Sequence, residues 1–267
     1  LMAQMNNIKV NIYGYLHAAS YTKEDAFEIA APYQQYTEVG WVAACDIVFV
    51  GSHYHKDAFV DRRLKPICSD SEIARLSNKI VVTGNPLFRE AYPEVDVAKK
   101  NQIILPNRFD WEKRPNMSLE FSYILKKKHP DWNFVLTTGN PALKSNKQWL
   151  LDYARSLESD GIIEIREGIT KDEYHTALAE SKVMLTNSIE EMFGYCIVEA
   201  MVYGTHPVCP HGLSHTELVQ NNKNLLYTDT NQLVQMIENL MEDKVQINYD
   251  TITELSLIHI SEPTRPL

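Results

Sequence analysis

Two carboxylates, Glu191 and Glu199, stand eight positions apart in the stretch from Leu185 to Gly204. Along one continuous helix they would lie about 12 Å apart, close to the reach from the sugar to the ribose of a nucleotide-sugar. A helix starting between them would point backbone N–H groups and a positive dipole end at a diphosphate. The chemistry that fits is recognition of a sugar carried on a pyrophosphate. The bare pair is a weak signal, because charged residues make up 23% of the chain. A buried helix with two incidental acids would read the same way.

The surrounding pattern says what must position these acids. Lys182–Thr186 reads as the end of a buried strand, followed by a short polar loop. From about Phe193 an apolar helix runs to a stop at Gly204. Upstream, predicted strands over 102–106, 133–137 and 162–165 alternate with predicted helices over 117–129 and 147–157. Downstream come strands over 206–210 and 224–227, and a helix over 231–241 with Leu233, Met236, Ile237 and Leu240 on one face. Leu119, Phe121, Ile124 and Leu125 supply the apolar face of the 117–129 helix, and Lys126–Lys128 suit its carboxyl end. Thr170 with Glu173 forms a capping box for a further helix. Strand–helix alternation of this kind predicts a parallel sheet.

The first part of the chain has the same character. Strands are predicted over 8–14, 46–51 and 79–83, with Thr22 and Asp25 as a cap and Ser52 as another. His17 follows the first strand, where α/β sheets place ligands; it fits a site residue or a turn histidine equally. His53 and His55 diverge by about 200° on a helix, so they cannot share a metal there and read as exposed surface. The polar stretch from Arg89 to Lys100, with Pro93, is the predicted boundary between domains 1–97 and 98–250.

A length of 267 residues gives ample core, and 44% hydrophobic content with interspersed charge describes a globular chain. No apolar run reaches membrane-spanning length, and no secretory signal opens the sequence. The net charge of −9 argues against wholesale electrostatic binding to nucleic acid or anionic membrane. Cys45, Cys68, Cys196 and Cys209 form no C-x-x-C pair and read as reduced thiols in a cytoplasmic protein. Residues 255–267 resemble translated sequencing-adapter DNA and read as a non-native tail on a fragment.

Glu191, seven residues, then Glu199, with Phe193-Gly194 between and Glu199-Ala200-Met201 followed by Gly204, resembles the signature of family-4 retaining glycosyltransferases. Their α/β fold is GT-B, two Rossmann-like parallel-sheet domains facing across a cleft. The resemblance runs from about Lys9 to Met241. It implies that Arg108 and Lys113, five apart in a loop after a strand, grip the donor diphosphate; alone they would read as a solvated basic loop. It implies that Glu199 takes the ribose hydroxyls and that Glu191 holds sugar hydroxyls and steadies an oxocarbenium-like centre. Phe193 and Gly194 belong to the donor loop, the Gly168 backbone reads the base, and His17 lies near the acceptor and the reacting sugar. Glu217 would complete the donor pocket, although a helix N-terminal acid fits it as well.

The implied partner is a UDP- or GDP-linked sugar donor, with no cofactor; the absence of an Asp-x-Asp motif is in keeping with metal-independent transfer. The region of Pro207–Pro210, Leu213 and Glu217 resembles bacteriophage enzymes that glycosylate modified DNA bases, and tRNA-queuosine mannosyltransferases. It therefore implies a modified DNA or tRNA acceptor; glycan, lipid and small-molecule acceptors stay open. The family's glycine-rich first loop is missing, and Ile8–Gly14 resembles a middle strand, so the first domain reads as incomplete. Tyr195 and Cys196 stand where smaller or aliphatic residues are usual. The competing readings are a nucleotide-sugar epimerase, a phosphorylase-like enzyme, and a nucleotide-sugar binding module without activity.

Overall fold

The computed structural model describes residues 10–17, 20–22, 28, 30–87, 91–245, 247 and 249. The chain divides into two compact units, Leu1–Asn85 and Pro86–Leu267. The first holds β1 (Tyr13–Leu16), α1 (Ala31–Ala44), β2 (Ile47–Val50), α2 (His53–Phe59), α3 (Asp70–Ser77) and β3 (Ile80–Val82). Its strands are parallel in the order β1-β2-β3, with Tyr13 opposite Ile47 and Val48 opposite Ile80. Side chains alternate across this sheet: Leu16, Val48, Val50 and Ile80 are buried, whereas Tyr13, Tyr15 and Val81 are exposed.

Two expectations for this unit change. The first strand pairs over Tyr13–Leu16 rather than 8–14; residues 8, 9 and Asp25 lie outside the described residues. Ser52 does cap α2, accepting the His55 N–H at 3.0 Å. His55 itself is 1% exposed, not on the surface, because its Nε2 meets the Tyr21 hydroxyl at 2.6 Å. Spacing fixed the divergence of the two histidines but could not say that the inward one had a partner 34 residues earlier. Nearby, Glu38 and Arg63 form a buried pair at 2.7 Å, and Ser20 donates to Glu38 through both its N–H and its hydroxyl at 2.8 Å.

The second unit is a six-stranded, wholly parallel sheet. In chain order it comprises β4 (Lys100–Leu105), α4 (Pro115–Lys128), β5 (Asn133–Thr138), α5 (Gln148–Ser159), β6 (Glu164–Glu167) and α6 (Lys171–Glu180). Then follow β7 (Ser181–Leu185), α7 (Tyr195–Val202), β8 (His206–Pro210), α8 (His215–Leu218), β9 (Leu226–Tyr227) and α9 (Thr230–Met241). The strand order is β6-β5-β4-β7-β8-β9. The chain thus builds outward from β4, returns to pair β7 beside it, and builds outward the other way.

Alternation along the strands serves both faces. Ile103, Leu105, Phe134, Leu136, Val183 and Leu185 pack with apolar residues of α4, α5 and α9. Ile104, Met184 and Cys209 pack with α6 and α7 on the other face. Leu87 joins this second layer, and the Tyr203 hydroxyl donates to the Pro93 carbonyl at 3.2 Å. The segment before residue 97 therefore goes with the second unit, and the division falls upstream of the predicted boundary.

Local details also differ. Ile124 is 42% exposed on α4, while Leu119, Phe121 and Leu125 are buried. The strand expected at 162–165 begins two residues later, because the Ile162 and Ile163 N–H groups close α5 on the Leu157 carbonyl. The capping box of Thr170 and Glu173 is present on α6. Among the described residues, no helix is long and apolar enough to cross a membrane.

Candidate active site

The return from β6 to β7 makes β4 and β7 neighbours at the point where strand order reverses. Loops leaving two such strands diverge, and the crevice between them is where open parallel sheets bind ligands. Here the two loops are 106–113, which carries Arg108 and Lys113, and 186–194, which carries Glu191. Topology therefore brings together residues that the sequence keeps far apart.

A cavity of about 660 Å³ opens at this edge of the second unit. Asn107, Arg108 and Asp110 line it from the β4 loop, Thr138 and Asn140 from the end of β5, and Ile169, Lys171 and Tyr174 from the start of α6. Tyr195, Cys196 and Glu199 complete it from the first turns of α7. Two predicted site residues, Arg108 and Glu199, thus line the same cavity. α7 starts after Gly194 with no side-chain cap, and its first two residues, Tyr195 and Cys196, line the cavity.

Lys113 and Glu191 sit beside this cavity rather than in its lining. Lys113 Nζ lies 2.8 Å from Glu191 Oε2 and 3.3 Å from the Glu190 carbonyl. Lys113 and Arg108 border one small void of about 10 Å³. Arg108 in turn binds Glu112 at 2.8 Å; the Glu112 side chain is buried, which raises its pKa. Cys196 ties the groups together, because its thiol senses the charges of Glu191, Lys113 and Glu199 at once. Burial first, and Glu191 second, push it up to about 12. Its Sγ donates to Asn107 Oδ1 at 3.2 Å, joining α7 to the β4 loop.

Glu199 accepts from the Tyr174 hydroxyl at 3.0 Å and from the Tyr92 hydroxyl at 3.4 Å. Burial raises its pKa, and the two phenol bonds and Lys171 oppose that rise. Neither tyrosine carries a motif, so only the fold reveals them. Gly194 sits at φ +100°, where an added Cβ would stand 3.1 Å from Ile197 and 3.2 Å from Leu218. The left-handed backbone favours glycine there, and the tight space adds to that preference. Phe193 is buried in the α6–α7 apolar layer and does not line the cavity; its ring packs edge-on to Tyr195 at 5.1 Å.

Three further expected residues lie elsewhere. Gly168 is left-handed at φ +62°, and its N–H is spent on the Asn140 carbonyl at 2.7 Å, so the next residue, Ile169, meets the cavity instead. Glu217 is half-buried on α8, away from the cavity wall. His17 belongs to the first unit, exposed just past β1 with its ring stacked on Tyr15 at 6.3 Å. Among the described residues, no cluster of three His, Cys, Asp or Glu could hold a metal ion.

A family model described as "Glycosyl transferases group 1" matches residues 89–254. HepE of Anabaena, solved with UDP-glucose, superposes with a TM-score of 0.68 at 16% identity, covering 96% of this chain and 69% of that one. Sucrose-phosphate synthase of Thermosynechococcus elongatus gives 0.67 at 16% identity, covering 97% and 65%. TarM of S. aureus, in a structure with UDP, gives 0.61 at 14% identity, covering 97% and 49%, so this chain spans about half the length of TarM. These likenesses show the fold, α/β of the GT-B type.

Proposed function

Because the chain belongs to the group 1 glycosyl transferases, we propose that it moves a sugar from a nucleotide-diphosphate sugar to an acceptor hydroxyl, with retention at the anomeric carbon. One observation carries the reading. Arg108 and Glu199 line one cavity at the strand-order reversal, with the ion pair of Lys113 and Glu191 at its margin.

The chemistry follows from charge. As the glycosidic bond breaks, negative charge gathers on the diphosphate and positive charge on the sugar. Arg108, Lys113 and the N-terminal turn of α7 stabilise the first, and Glu191 stabilises the second. Glu199, acceptor-only when ionised, takes ribose hydroxyls. The acceptor hydroxyl attacks the face the leaving phosphate departs from, and a phosphate oxygen takes its proton. Fixed cations at the leaving oxygen do this work without a metal. UDP- or GDP-linked sugars are the donor class.

A modified base in DNA or tRNA is the acceptor to test first, on the resemblance around Pro207–Pro210; the net charge of −9 lends it nothing. Assays of sugar transfer to hydroxymethylated DNA, tRNA and lipid acceptors separate these classes. For the reaction itself, Lys113→Ala and Glu199→Ala should each lower donor affinity or turnover. Unchanged kinetics in both variants would remove the assignment.

A further inference from the structure

Glu199 is gripped by groups that no spacing in the sequence announces. Tyr174, on α6, lines the cavity and donates to one carboxylate oxygen; Tyr92, from the segment before β4, donates to the other. Between the two phenols lies His175, 1% exposed, with neither ring nitrogen hydrogen-bonded. Its ring is caged by Tyr203 at 5.1 Å, Tyr92 at 5.6 Å and Tyr174 at 5.9 Å. Two unpaired buried nitrogens are costly, about 1–3 kcal/mol each, and what the imidazole supplies there is a flat ring packed against three tyrosines. Tyr203 also holds the Pro93 carbonyl, which fixes the backbone next to Tyr92, and Lys171 Nζ stands 5.4 Å over the Tyr92 ring.

Each oxygen of an ionised carboxylate has about two acceptor sites. The two phenols take one site on each oxygen and fix the plane of the group, which leaves one site on each oxygen for a vicinal diol. We propose that Tyr92 and Tyr174, wedged apart by His175, are positioning residues that aim Glu199 at the two ribose hydroxyls of the donor nucleotide. The proposal rests on the reading of Glu199 given above. It adds that donor affinity depends on a segment, 91–99, that lies outside the cavity wall.

Calorimetric titration with UDP, GDP and their 2′,3′-dideoxy counterparts tests it. Tyr174→Phe should weaken the ribonucleotide that binds by about tenfold, the scale of one hydrogen bond to a charged group. It should leave the dideoxy nucleotide unchanged, because that ligand has no diol to meet Glu199. His175→Ala should behave like Tyr174→Phe, and His175→Phe, another flat ring, should restore ribonucleotide binding. Equal losses on both nucleotides would mean a merely structural role and overturn the proposal. A loss in Glu199→Gln with none in Tyr174→Phe or Tyr92→Phe would overturn it while sparing the donor-site reading. Unchanged binding in Glu199→Gln, or binding of neither nucleotide, would overturn both.

Discussion

Lys113 and Glu191, 78 residues apart, form an ion pair of 2.8 Å whose side chains are only 12% and 20% exposed. Its polarity opposes the charge separation of a breaking sugar–phosphate bond: the ammonium suits the phosphate and the carboxylate suits the sugar. Removing either charge leaves its partner poorly solvated. Lys113→Met and Glu191→Gln should therefore each lower kcat by roughly 10²–10³-fold, the scale of one preorganised electrostatic group. The double variant should lose less than the product of the singles, since the two act as one unit. Multiplicative losses across the cycle would show that the pair has no joint role.

Gly194 sets where α7 begins. At φ +100° with neighbours 3.1–3.4 Å from a would-be Cβ, Gly194→Ala incurs backbone strain and tight contacts that the Ile197 and Leu218 side chains must yield to. The cost should be about 1–3 kcal/mol, read as a lower urea midpoint. Ala at the exposed, uncrowded Gly40, which meets nothing within 4 Å, is the control and should be neutral or stabilising. A Gly194→Ala protein as stable as the parent would refute the strain argument.

How much of this was legible depended on whether a residue's role lay in its own segment. The helices around Thr170 and Leu233 and the strand before Thr186 carry local signals, namely a capping box, a periodic face and a short apolar run, and they form where expected. The acids and cations stand out only through the family resemblance, because by spacing alone they read as incidental acids and a solvated basic loop; the fold adds that β4 and β7, whose following loops carry Lys113 and Glu191, are neighbours. Tyr92, Tyr174 and His55 were not legible, because each works through a partner brought by tertiary packing, 107, 25 and 34 residues away. The resemblance implies that the Gly168 backbone reads the base, but its N–H goes to the Asn140 carbonyl, a pairing no spacing encodes.

Ser214 holds the loop that carries Glu191. Wholly buried, its hydroxyl is shared between the Phe193 carbonyl at 2.7 Å and the Glu191 carbonyl at 2.9 Å. Ser214→Ala leaves those carbonyls without that donor and loosens the backbone of Glu191, whose carbonyl keeps only the longer bond from the residue-214 N–H at 3.4 Å, while Glu199 stays anchored on α7. Turnover should fall about tenfold, consistent with one lost hydrogen bond of 0.5–1.5 kcal/mol, with UDP affinity within about twofold. A loss confined to UDP affinity would place the clamp's effect on donor binding instead.

His215 gives the second unit a defined pH response. Its Nδ1 faces the Pro210 carbonyl at 3.1 Å, so Nδ1 carries the proton and donates, and Nε2 is left buried without a partner. Charging the ring would bury an unpaired N–H, and burial accordingly holds its pKa down at about 4 against 6.5 unfolded. Between those values the unfolded chain binds a proton that the folded chain refuses. Stability should therefore be full above pH 6.5 and fall as pH drops towards 4, by on the order of 3 kcal/mol from this group alone. His206, held at about 4 mainly by burial, adds in the same direction. Glu112 and Glu199, raised mainly by burial, act oppositely: protonation below their folded pKa values relieves their burial cost. Comparing parent with His215→Asn isolates the histidine. Urea midpoints measured from pH 4 to 7 should climb less steeply in the variant, and identical slopes would mean that His215 is not held neutral.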